Sequence, residues 1–209
     1  MSRTLKSTTY NIENINIPSN QPLNWQIKKE KCALLIHDMQ RYFVHALPTE
    51  PALEMTRAIV KILRWARYNR ISIFYSAQPG RMTTEKRGLL ADLWGSGMYS
   101  TEEDRQIIDD LFPSHDDVVL TKWRYSAFYQ SDFADMLSEC QCDSLIITGI
   151  YASVGILATA IEAFSRDIRP FIVADGIADF TQSGHQKAVD YMADNCAQIL
   201  AAMDVVDYE

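Results

Sequence analysis

The run CALLI, residues 32–36, followed at once by His37-Asp38-Met39-Gln40, decides the fold. Five consecutive apolar residues without alternation read as a short strand buried on both faces. Such a strand belongs in a parallel sheet with helices covering both sides. Outward from it, Ile59, Ile62, Leu63 and Ala66 recur at the spacing of one helical face, which predicts a helix over 53–68. ISIFYS (71–76) reads as a second buried strand, closed by the turn residues Gln78-Pro79-Gly80.

The same periods predict helices over 102–111, 133–139, 154–166 and 185–196, and strands over 118–121, 144–150, 171–174 and 197–201. Residues 81–100 carry Arg81, Arg87, Trp94, Gly95 and Gly97 and read as an irregular excursion; loops of this length in a compact domain are usually functional. Residues 1–30 are polar and read as an extended arm. The alternation of strands and helices predicts an α/β fold: three layers, with a six-stranded, mostly parallel sheet. With no internal repeat, low-complexity tract or linker, the 209 residues are expected to form one domain.

Composition narrows the function classes. A net charge of −7 disfavours nucleic acid or an anionic membrane as the main partner, while leaving room for a local basic pocket. The four cysteines form no C-x-x-C pair, so a reducing, cytoplasmic compartment is expected. The arm has no apolar core of a signal peptide. Residues 144–161 carry no charge over a length near that of a membrane span, but they split into a strand-like and a helix-like half at Gly149–Gly155, so no membrane segment is expected.

Doubly wound sheets bind ligands outside the carboxyl ends of their strands. There the sequence places Asp38 after the first strand and Gln78 after the second. Lys122 follows the third, Tyr151 to Gly155 the fourth, and Asp175-Gly176 the fifth. Taken singly, Asp38 could equally be a helix cap and Lys122 a solvated strand end; His37, alternating with Asp38, points into the structure as a structural histidine. His45, His115 and His185 read as surface or cap residues, and Trp94 and Trp123 as packing. No G-x-G-x-x-G or Walker A loop, metal-spaced His pair or G-x-S-x-G elbow is present, so no cofactor and no metal are expected.

Six stretches carry a resemblance: HDMQRYF (37–43), YSAQPG (75–80), RGLLADLWGSGM (87–98), LTKWRYSAF (120–128), TGIYASVG (148–155) and RPFIVADGIADF (169–180). In order and spacing they resemble the isochorismatase family over approximately residues 8–200. The likeness is to stand-alone members of phenazine biosynthesis, acting on 2-amino-2-deoxyisochorismate, and to isochorismatases of siderophore pathways. Many of the latter carry a carrier domain, which this chain is expected to lack. The resemblance implies hydrolysis of an enolpyruvyl (vinyl) ether to pyruvate and a dihydrodiol, without metal. It assigns catalysis to Asp38 and Lys122, and substrate binding to Gln78, Arg87, Trp94, Tyr151 and Gly155.

Gly155 stands where cysteine hydrolases of the wider superfamily carry their nucleophile. That substitution is expected to make room for a ring-bearing, chorismate-derived substrate, with backbone N–H groups at Val154–Gly155 facing an anion. Ser153 departs from the histidine usual in the family and could cap the following helix. The resemblance also implies a homodimer. Less favoured readings are a nicotinamidase-like amidase and a non-catalytic partner of a synthetase.

Overall fold

The computed structural model describes residues 7–98 and 101–207. The first six residues of the arm, residues 99–100 of the excursion and residues 208–209 lie outside the described residues.

The first strand, β1 (Cys32–His37), is buried along its whole length, as a run apolar on both faces requires. Leu34, Leu35 and Ile36 are fully enclosed, each contributing about 1.5–3 kcal/mol relative to exposure. A short helix, α1 (Arg41–Val44), precedes the long helix α2 (Thr49–Tyr68). That helix begins four residues before its predicted start, with Pro51 in its first turn. A proline is tolerated there because its missing N–H would have had no partner.

Strand β2 (Ser72–Ala77) leads into the excursion, which holds two short helices, α3 (Thr84–Arg87) and α4 (Leu90–Trp94). The helix expected over 102–111 is broken. Only α5 (Glu102–Arg105) and a 3-10 turn at Asp109–Leu111 form. Between them the backbone is recruited by the chain after β1: Arg41 N–H donates to Gln106 O (2.9 Å) and Ile108 N–H to Met39 O (3.0 Å). Tertiary pairing overrides local propensity here.

Strand β3 (Val118–Thr121), α6 (Phe133–Glu139) and β4 (Ser144–Ile150) occupy the predicted ranges. A π-turn at Ala152–Ile156 then leads into α7 (Leu157–Ser165). Strand β5 (Arg169–Ala178) is longer than predicted and runs through Asp175-Gly176 instead of ending there. Helix α8 (Gln182–Asn195), β6 (Gln198–Leu200) and α9 (Ala202–Val206) complete the chain.

The six strands lie in the order β3-β2-β1-β4-β5-β6, and every pair is parallel. The strand order reverses between β1 and β4, so their carboxyl ends splay apart into a crevice. Helices α2 and α9 pack together, as do α7 and α8, giving the helical layers that an α/β sheet needs on its two faces. Gly149 has φ +105°, and a Cβ there would lie 2.2 Å from His37 O; only glycine lets β4 approach β1 this closely. The polar arm is not free. Tyr10, Ile12, Ile15 and Ile27 are buried in the main core.

Among the described residues no helix is long and apolar enough to cross a membrane; the uncharged stretch 144–161 is divided among β4, the π-turn and the start of α7.

Candidate active site

Asp38 is the residue after β1, at φ +52°, a left-handed conformation that aspartate tolerates better than most residues. Its N–H donates to Ser76 O (3.1 Å) at the end of β2, and Ser76 Oγ donates back to Asp38 Oδ1 (2.7 Å). Lys122, next after β3, sets Nζ 2.7 Å from Asp38 Oδ2. Three neighbouring strands thus deliver one ion pair. It is nearly dry, with Lys122 2% and Asp38 6% exposed. Burial alone would raise the Asp38 pKa; the Lys122 ammonium, with help from His37 and the Ser76 hydroxyl, outweighs it and holds the carboxyl below its ordinary range.

The His37 side chain is fully buried, with Nδ1 3.8 Å from Asp38 Oδ2. Its Nδ1 donates to Ile150 O (2.9 Å), and Nε2 lies 3.3 Å from Thr159 Oγ1. Burial lowers its pKa to about 4, so the ring is neutral, and a carbonyl partner at Nδ1 places the proton there.

Above the pair opens a cavity of about 380 Å³, and Asp38, Gln78, Arg87, Trp94, Lys122, Tyr151 and Gly155 all line it. Gln78 is held by the Gln40 side chain, which accepts from Gln78 N–H (2.7 Å) and donates to Gln78 O (3.0 Å). Arg87 Nη1 donates to Gln78 Oε1 (3.2 Å) and Nε to Gly95 O (3.1 Å), which leaves further N–H groups of the guanidinium for an anion. Trp94 Nε1 donates to Tyr125 Oη (2.7 Å), and Tyr151 Oη to Phe43 O (2.7 Å).

The Ile150–Tyr151 peptide is cis. In the turn that follows, the structure corrects three expectations. A Cβ at Gly155 would lie 2.3 Å from His37 Cε1, so the space freed by the missing side chain is filled by the His37 imidazole and not opened to substrate. Of the backbone N–H groups at Val154–Gly155 expected to face an anion, that of Val154 donates to Tyr151 O (3.0 Å) instead, and the neighbouring Ser153 N–H donates to Asp179 Oδ2 (2.5 Å). Ser153 is exposed, and no side-chain cap bond holds the turn or the start of α7; Asp179 serves the Ser153 N–H instead.

Sequence reasoning passed over several residues. Tyr42, Phe43, His45 and Tyr125 also line the cavity, and Ser76 holds Asp38. Tyr42 and Tyr125 stand a few residues past strands β1 and β3, a position that could have nominated them. Asp179 was hidden by ending the fifth strand too early. His185, read as a surface or cap residue, is fully buried. Among the described residues, no group of three or more His, Cys, Asp or Glu is placed to hold a metal ion.

A parallel α/β sheet whose switch point carries a buried Asp–Lys pair beside a turn with glycine at position 155 defines a hydrolase class, and the chain belongs to the isochorismatase family. The isochorismatase-domain model matches residues 32–204. The chain is 44% identical over 191 residues to the phenazine biosynthesis protein PhzD of Pseudomonas fluorescens, covering 91% of this chain and 92% of that one. It is 40% identical over 196 residues to enterobactin synthase component B of Escherichia coli K12, covering 93% of this chain and 68% of that one. A cysteine hydrolase structure from Pseudomonas syringae pv. phaseolicola superposes with a TM-score of 0.82 at 21% identity, over 90% of this chain and 97% of that one, which shows the shared fold alone.

Proposed function

We propose that the chain hydrolyses the enolpyruvyl ether of isochorismate to pyruvate and 2,3-dihydro-2,3-dihydroxybenzoate, with Asp38 as proton donor. The observation that carries this reading is the buried Asp38–Lys122 pair facing a cavity in which position 155 offers no nucleophile and has no room for one. Vinyl ether hydrolysis needs a placed acid and a water, and no covalent intermediate with the enzyme. The Asp38 proton adds to the terminal methylene carbon of the enolpyruvyl group. The resulting oxocarbenium ion takes up water at the ether-bearing carbon, losing a proton, and the hemiketal collapses to pyruvate and the ring alcohol.

In the free enzyme Asp38 is ionised, held so by Lys122. Binding brings the two carboxylates of the substrate into a cavity lined by Arg87 and Lys122. The added negative charge and the expulsion of water both favour protonation of Asp38. Binding therefore draws about one proton from solvent, and kcat/KM falls as pH rises. Calorimetric titration with an inert substrate analogue in buffers of different ionisation enthalpy measures that uptake; zero uptake removes Asp38 as the acid.

A second reading, hydrolysis of 2-amino-2-deoxyisochorismate, is favoured by the similarity along almost the full length of the phenazine biosynthesis proteins. Pyruvate release from each substrate, compared as kcat/KM, decides between them. Turnover of nicotinamide instead of either would overturn both.

A further inference from the structure

The N-terminal arm runs along the end of β5, ahead of the region 32–204 that matches the family. Thr8 N–H donates to Phe180 O (2.9 Å), and Asp179 N–H donates to Tyr10 Oη (3.0 Å). The Tyr10 hydroxyl lies 3.0 Å from His185 Nδ1. His185 Nε2 faces Ala174 O at 3.1 Å, so it carries the ring proton, and burial keeps the imidazole neutral with a pKa of about 4. Nδ1 is therefore an acceptor for the tyrosine proton. All three residues, Tyr10, Asp179 and His185, are buried.

Asp179 in turn commits both carboxylate oxygens: Oδ2 to Ser153 N–H and Oδ1 to Phe180 N–H. The Phe180 ring lies 4.1 Å from that of Tyr151 and stacks at 6.2 Å on that of Trp94, both of which line the cavity. Two routes thus lead from the arm to the cavity wall, one through the Asp179 carboxylate to the turn after β4, the other through Phe180 to the aromatic rings.

We propose that Thr8 and Tyr10 are positioning residues of the catalytic pocket, acting through Asp179 and Phe180 on the turn at residues 151–155. The proposal rests on reading the cavity as the hydrolase site. Removing the Tyr10 hydroxyl leaves Asp179 N–H and His185 Nδ1 buried without a partner, which loosens the segment that carries Asp179 and Phe180. Asp38, Ser76 and Lys122 come from β1, β2 and β3 and touch none of these groups. The loss therefore falls on substrate binding by the wall and not on the proton donor.

The test is Tyr10→Phe in the full chain, read by hydrogen–deuterium exchange and by steady-state kinetics on isochorismate. Exchange speeds up in peptides covering 150–156 and 178–182 but not 32–37. KM rises by about tenfold while kcat and its pH profile stay near wild type. Glu50→Ala, which removes the acceptor of the arm's tether at Thr9 Oγ1 (2.7 Å) without touching Tyr10, leaves both readouts unchanged. Unchanged exchange at 150–156, equal acceleration at 32–37, or an equal effect of Glu50→Ala overturns the proposal. If Tyr10→Phe does not accumulate folded, Asp179→Asn reads the second link: the same local acceleration supports the proposal and its absence overturns it. Wild-type enzyme that releases no pyruvate refutes the functional reading, while the exchange pattern still decides the positioning role.

Discussion

The two walls of the cavity are built on opposite principles. The wall from β1, β2 and β3 concentrates charge: Asp38, Lys122 and, beyond them, Arg87. The wall from the end of β4 presents no charged side chain to the cavity. Tyr151, Val154 and Gly155 line it, neutral His37 fills the space behind Gly155, and Phe180 backs Tyr151. A buried charge is costly unless paired, so the first wall is organised around hydrogen bonds and an ion pair. The second is organised around shape, since the groups it turns to the cavity are close-packed and uncharged. Under the proposed reaction, proton transfer falls to one side and substrate fit to the other.

The largest effect should come from the charged wall. Asp38→Asn keeps the shape and the Ser76 contact but holds no transferable proton; kcat falls roughly 10²–10⁴-fold with an unchanged circular dichroism spectrum. Near-wild-type turnover would break the division outright. Lys122→Met strands the Asp38 carboxylate, costing about 3–5 kcal/mol of stability at neutral pH by denaturant titration. The Asp38 pKa should rise in that variant, because its main opposing charge is gone.

The neutral side is probed by acid. His37 and His185 have folded pKa values of about 4, below the unfolded 6.5. The unfolded chain therefore binds protons that the folded one refuses. Stability is complete above pH ~6.5 and falls as pH drops toward ~4, by about 3 kcal/mol for each histidine. Unfolding free energies that stay flat between those pH values would show that both rings take up a proton in the folded state as readily as in the unfolded one. The smallest effect belongs to shape alone: Gly155→Ala drives a methyl into His37 and costs about 1–3 kcal/mol. A variant as stable as wild type would show that the ring behind the turn can yield.

How far the sequence could be read depended on the range of the interaction responsible. The six strands were legible because each is a short apolar run between turn signals. The seven named residues converge on one cavity because parallel topology sends every strand's carboxyl end to the same edge. The helix at 102–111 was misread because its break is imposed by hydrogen bonds to residues 65 and 69 positions earlier. The extent of β5 was misread because Asp175-Gly176 looks like a turn but lies within the strand, near the register shift opposite Ile147 and Gly149. Asp179 and the docking of Tyr10 were illegible for the same reason. Both depend on pairings across some 170 residues that leave no local pattern.

Position 155 lacks a nucleophile, and the neighbouring His37 ring fixes that lack. Because the imidazole of His37 occupies the place of a Cβ, restoring a thiol at 155 is not a single step. The ring must shrink in the same event that the side chain grows. Each change alone gives either a collision or a void, both unfavourable in a packed interior. In the space of sequences, the acid-driven reaction proposed for this chain and a thiolate reaction at position 155 are therefore not adjacent. They face each other across a gap two substitutions wide.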